Sequence, residues 1–316
     1  MANVSGQGTT WNLPNYAGEL FTADAINTPI LTAIGGMTGG LQTNDFEFAT
    51  DSQYSFPNAA QPAITETASL TAPTAVGYAR TQGTNVTQIF QEKVSVSYER
   101  LANQGRMSGL NTAGQSNPVA NEKDFQIACA LQKIARDIEY TIINGAYQKA
   151  TDASTANKTR GLIALCGGTG GNTVAASGAA LSKALINSIL KAMYDAGAIF
   201  SNVVLWCNSY QKQAISEIYS FAPQDRNIGG TNIKQIETDF GNIGVALNRF
   251  MPTDDVLFSE MSVLAPVFQP VPQKGNFFYE ELAKTGASED GQIFGKFGLD
   301  HGPAFMHGTI TGLKNS

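Results

Sequence analysis

Apolar and polar residues alternate through "VTQIFQEKVSVSYE" (residues 86–99), with Val94, Val96 and Tyr98 on one side and Ser95, Ser97 and Glu99 on the other. A period of two predicts a strand. "DFEFATDSQYSF" (45–56) alternates in the same sense, so the pair predicts an extended ribbon over about residues 44–95. From Thr67 to Gln91 the only charged residue is Arg80. A two-stranded ribbon is marginally stable alone in water, and structureless loops beyond roughly 12–15 residues are uncommon in compact domains. The ribbon is therefore expected to lie on another surface, most simply that of a neighbouring copy.

The period changes to that of a helix in "NEKDFQIACALQKIARDIEYTIINGAYQKA" (121–150). Asn121 is the expected N-cap, and Glu122 and Asp124 suit the first turn. Ile127, Leu131, Ile134, Ile138 and Ile142 form the expected apolar stripe, with Lys133, Arg136, Asp137 and Glu139 off it. Such a helix, about 40 Å long at ~1.5 Å per residue, fits a backbone element laid across a sheet. "ALSKALINSILKAMYDAG" (180–197) predicts a second amphipathic helix ending at Gly197. "NVVLWC" reads as a buried strand, "SYQKQAISEIYSF" as a short helix, and "IKQIETDFGNIGVALNRFMP" as two strands about a turn at Asp239–Gly241. "GQIFGKFGLD" and "PAFMHGTITGL" are expected to pair antiparallel. Residues 1–43 are a polar arm with apolar islands at Trp11, Leu13 and Tyr16 and a short turn near Ile30–Ile34. The class is α+β.

Composition adds a reason to look outside the chain. Charged residues make up 15% of the 316 residues, where about 25% is usual. A surface poor in charge and rich in Gly, Thr, Asn and Gln suggests an assembly, in which much of it does not face water. Glu19, Asp24, Asp45, Glu47, Asp51 and Glu66 precede Arg80, the first basic residue, so the opening 79 residues carry the entire net charge of −6. The rest is neutral, which excludes the basic footprint of a tight nucleic-acid binder. No membrane span is expected, and no signal or transit peptide. Cys129, Cys166 and Cys207 are odd in number and lack C-x-x-C spacing, so they read as buried free thiols.

Candidate chemistry is weak. Lys284-Thr285-Gly286 matches the K-T-G triplet of serine β-lactamases, and Ser209-Tyr210-Gln211-Lys212 fits S-x-x-K. No S-D-N lies between them. Ser209 is better explained as a helix N-cap or first-turn residue, and no catalytic residue is expected. His301 and His307 read as surface or interface histidines, and Asp254-Asp255 and Glu289-Asp290 as solvated turn carboxylates. "LCGGTGGNTVAASG" lacks a phosphate-binding fingerprint. No metal or other cofactor is expected.

The blocks "NVTQIFQEKVSVSYERLA", "ALQKIARDIEYTIINGAY" and "FFYEELAKTGASEDGQIFGKFGLD" together resemble a major capsid protein of tailed bacteriophages. That resemblance implies the Hong Kong 97-type phage capsid fold, which bacterial encapsulins share. It would place the N-terminal arm at 1–43, the extended E-loop at 44–95 and the P-domain with its long spine helix at 96–158. The A-domain would take 159–265, and returning P-domain strands 266–316. It further implies self-assembly through hexamers and pentamers into an icosahedral head shell around double-stranded DNA, without sequence-specific binding or a membrane. Portal, scaffolding and decoration proteins would be partners, with assembly in the host bacterial cytoplasm and residence in the virion. Trp11, Glu66, Tyr78, Arg80 and Phe90 are the expected inter-subunit contacts. Rival readings are an encapsulin-like compartment shell and a tail or decoration protein.

Overall fold

The computed structural model describes residues 22, 24, 26–102, 121–219, 234–284 and 286–315. The first element is a five-residue helix, α1 (Pro29–Ala33), with Pro29 in its first turn and Ile30 and Leu31 buried. β1 (Leu41–Gln42) follows. The end of the expected arm is thus already part of the subunit's own body.

β2 (Glu47–Tyr54) and β3 (Arg80–Val86) form an isolated antiparallel pair, with the four-residue helix α2 (Glu66–Ser69) at its far end. The ribbon closes at Val86, earlier than the pattern predicts. β4 (Gln88–Ser97) leaves it for a larger sheet, because Phe90, Val94 and Val96 all bury on one face. The short helix α3 (Tyr98–Ala102) ends that stretch.

The long helix α4 (Glu122–Asn144) starts as predicted, the Asn121 side chain accepting the Lys123 N–H at 3.0 Å. It is shorter than expected, about 34 Å. The chain turns off at Gly145, where a Cβ would lie 2.5 Å from the Thr141 carbonyl oxygen and 2.7 Å from that of Thr159. The buried row runs through Ala130, Ile134, Ile138 and Ile142, while Leu131 is 38% exposed. Glu139 lies at 0% exposure, on the side opposite to the one its charge suggests.

Next come α5 (Leu162–Cys166), β5 (Asn172–Ala175), α6 (Lys183–Asp195), β6 (Val203–Cys207) and α7 (Ser209–Tyr219). The remainder is β7 (Gln235–Thr238), β8 (Gly241–Leu247), β9 (Val256–Glu260), β10 (Ala265–Phe268), β11 (Phe277–Glu281), β12 (Ser288–Asp300) and β13 (Gly308–Thr311). α6 ends as predicted: Gly197 takes φ +97°, its N–H donates to Tyr194 O and that of Ala198 to Met193 O.

Two sheets organise these elements. In the five-stranded one β12 is central, with β4 along one side, β11 and β10 along the other, and β1 parallel to β10. α4 covers it, joining Ile134, Ile138 and Ile142 to Phe90, Val94, Val96, Ile293 and Phe297 in one core. The six-stranded sheet has the order β5-β13-β9-β6-β8-β7 and packs α6 through Ile186, Ile189 and Met193. The predicted pairing of "GQIFGKFGLD" with "PAFMHGTITGL" is therefore wrong. β12 and β13 belong to different sheets, and β13 sits between β5 and β9. Alternation along β6 joins the two bodies: Val203, Leu205 and Cys207 enter one core, and Trp206 enters the other.

Candidate assembly surface

The β2–β3 ribbon is locked at its base. Asn85 is fully buried; its Nδ2 donates to Leu299 O at 2.8 Å and its Oδ1 accepts the Arg160 N–H at 2.8 Å. Lys149 pairs with Glu47 at 2.5 Å, and Thr84 Oγ1 donates to the same carboxylate. Those bonds hold the Glu47 carboxyl below the usual range. The Phe48 ring lies over Gly298, where a Cβ would stand 2.6 Å from it. Two strand positions farther out, a bulge sets Thr50 between the pairs Ala49–Thr84 and Asp51–Gly83.

Beyond this root the ribbon packs on no core among the described residues. Every residue from Tyr54 to Gln82 is exposed. Among them Phe56 is 68% exposed, Ile64 72% and Leu70 83%, with Tyr54, Val76 and Tyr78 above half. Tyr54 and Tyr78 each meet the Phe56 ring edge-on at a centroid distance of 5.3 Å. Exposed apolar side chains in such a run are unusual on a surface that stays in water. Thr65 caps α2 by accepting the Ala68 N–H, so the tip is locally ordered without a core.

Of the predicted contact residues, Glu66 opens α2, and Tyr78 and Arg80 lie on the exposed ribbon. Phe90 does not join them. It is 7% exposed and packs edge-on against Phe297 in the chain's own core, since β4 belongs to the five-stranded sheet. Trp11 lies outside the described residues. Tyr54, Ile64, Leu70 and Val76 were not singled out from sequence; the signal was the scarcity of charge that sets this segment apart.

The enzyme-like motifs are separated by the fold. Ser209 opens α7 beside the six-stranded sheet, where Asn208 accepts the Gln211 N–H as the actual cap. Lys284 follows β11 of the other sheet, its ammonium 5.7 Å from the Tyr98 ring centroid; Thr285 lies outside the described residues. The histidines are core residues, contrary to expectation, at 2% and 0% exposure. His307 Nε2 donates to His301 O, and His301 Nδ1 to Gly302 O, both at 2.7 Å. Asp290 is likewise buried in a strand, taking the Ser95 hydroxyl and Lys93, while Glu289 pairs with Lys123 at 3.1 Å. Asp255 accepts the Gly312 N–H. Cys166 and Cys207 are buried, their thiols pushed up to about 12 by desolvation, but Cys129 is exposed. Among the described residues no cluster of three or more His, Cys, Asp or Glu could hold a metal, and no helix is long and apolar enough to cross a membrane.

A long helix across one sheet, a second sheet joined at its flank and a projecting apolar ribbon define a shell subunit of the Hong Kong 97-type phage capsid fold. The cyanophage A-1(L) capsid asymmetric unit shares it at a TM-score of 0.68 and 12% identity, over 97% of this chain and 98% of that one. The capsid of a native GTA particle does so at 0.60 and 12%, over 96% of each chain. An encapsulin from Synechococcus elongatus PCC 7942 matches at 0.56 and 10%, over 94% and 92%. No curated protein sequence matches. The SU10 major capsid protein family matches residues 3–314, and the chain belongs to it.

Proposed function

We propose that this major capsid protein closes hexameric and pentameric units of itself into an icosahedral head shell around double-stranded DNA, and that the β2–β3 ribbon is its reach onto a neighbouring copy. The observation that carries the reading is the unbroken exposure from Tyr54 to Gln82 around an aromatic cluster. Burying one such side chain yields about 1.5–3 kcal/mol. Several together offset the ordering and association costs of a single contact. Contacts of this size can dissociate when misplaced and still hold a shell in number.

In this reading the E-loop is residues 47–86, shorter than the sequence suggests. The P-domain is α4 with the five-stranded sheet, and the A-domain is the six-stranded sheet, including β13. Glu66, Tyr78 and Arg80, with Tyr54 and Phe56, make the ribbon's contacts, and Trp11 a contact of the arm. The subunit catalyses nothing. Portal, scaffolding and decoration proteins complete a head assembled in the bacterial cytoplasm, and the acidic-to-neutral chain encloses DNA without gripping it. Encapsulins share the fold, so shells filled with a protein cargo in place of DNA would favour a compartment. The experiment is electron microscopy of co-expressed material: closed shells support the proposal, while tubes, rings or monodisperse small oligomers refute it.

A further inference from the structure

Glu139 belongs to the long helix, yet its donors come from elsewhere. Its Oε1 accepts the Ile30 N–H at 2.9 Å and its Oε2 the Leu31 N–H at 2.8 Å, both from α1. Asn248 Nδ2 donates to Oε1 at 2.5 Å from the end of β8. Asn248 itself is 1% exposed; its N–H donates to Cys207 O, and its Oδ1 accepts the Phe250 N–H. Asn144, at the end of α4, donates to Phe250 O. One carboxylate thus joins the N-terminal segment, the long helix and the corner of the six-stranded sheet.

Neither side is self-sufficient. A five-residue helix cannot hold itself together in water, so α1 depends on its buried Ile30 and Leu31 and on this acceptor. A buried carboxylate is costly unless its lone pairs are filled. Burial pushes the Glu139 carboxyl above the usual range, and the Leu31, Ile30 and Asn248 donors pull it back only in part. Losing either donor set leaves the other bound to an under-satisfied buried group.

We propose that Glu139 couples docking of the N-terminal segment to the setting of the six-stranded sheet against the long helix, so that drawing α1 toward a neighbouring copy loosens the Asn248 corner. The coupling is reciprocal by thermodynamic necessity. The role of the neighbour rests on the shell reading above; the coupling within one chain does not.

Hydrogen exchange on the full-length chain tests it with Asn248→Ala and Glu139→Gln. Asn248→Ala should speed exchange of the Ile30 and Leu31 amides about tenfold or more, although Asn248 donates to neither, while the Ile293 amide in β12 keeps its rate. Glu139→Gln should speed exchange both at Ile30 and Leu31 and at the Asn248 amide. Unchanged Ile30 and Leu31 rates in Asn248→Ala would overturn the proposal, because the two contacts would then be independent. An equal rise at Ile293 would overturn it as well, because the effect would be global. Failure of the shell reading would show separately, as an absence of shells from the unaltered protein.

Discussion

His307 shows how a residue that looks functional is absorbed by the fold. Its Nε2 is committed to the His301 carbonyl, and its Nδ1 is buried with no partner among the described residues. Burial holds the ring down to about 4 against an ordinary value of 6.5; the His301 carbonyl and Glu260 favour the cation, and the His301 ring disfavours it. The unfolded chain therefore takes up the proton first as pH falls. The stability this group contributes is full above about 6.5 and is lost as pH drops from there through 4, by roughly 3 kcal/mol. His307→Gln can keep the donor without the titration. Its denaturant midpoint should fall less steeply between pH 6.5 and 4 than that of the unaltered chain, and equal slopes would refute the assignment. Gly161 is a steric case: a Cβ there would lie 2.7 Å from the Thr141 carbonyl oxygen and 2.9 Å from that of Ile143. Gly161→Ala should cost about 1–3 kcal/mol in chemical denaturation, since backbone atoms have no rotamer with which to yield. None of this was legible in sequence. The partners of His307, Gly161 and Glu139 include backbone atoms brought in from other elements, and residue type does not announce them.

Elements whose determinants are local could be read directly. The hairpin of β7 and β8 turns at Asp239 and Phe240 with Gly241 at φ +121°, and α6 stops at Gly197 with a positive φ. Of the expected stripe Ile134, Ile138 and Ile142 are buried and Leu131 is not; what failed was that one position and a strand pairing. The stripe on α4 passes through Ala130, four residues before Ile134, and not Leu131. Ile138→Ala should thus cost about 2–5 kcal/mol, and Leu131→Ala less than about 1 kcal/mol, as read by thermal or denaturant unfolding. β12 and β13 look like partners because they are close in sequence, yet the segment between them crosses from one sheet to the other. The ribbon was legible in existence but not in length, since alternation in β4 looks the same whether its inner face meets a neighbour or its own core. The triple variant Tyr54→Ala, Phe56→Ala, Tyr78→Ala removes only exposed rings. Its subunit should unfold within about 0.5 kcal/mol per substitution of the unaltered one, while the yield of shells in sedimentation collapses. Normal shells would refute the role given to the ribbon.

At the scale of the whole molecule, two abutting bodies each own a core, and among the described residues the ribbon beyond its root packs on neither. The low share of charged residues and the exposed apolar ribbon have the same cause if the surface they belong to is completed by other copies. Both cores are built within one chain; the ribbon has none of its own, and on the proposal above its side chains leave water at assembly. The most direct measurement is a high-resolution electron cryomicroscopy map of the assembled shell, traced through residues 54–82. The account predicts that the Tyr54–Phe56–Tyr78 rings are buried against an adjacent copy while the ribbon root keeps the bonds of Asn85 to Leu299 and Arg160 and of Glu47 to Lys149. A map in which those rings face solvent, or fold back onto their own subunit, would contradict it.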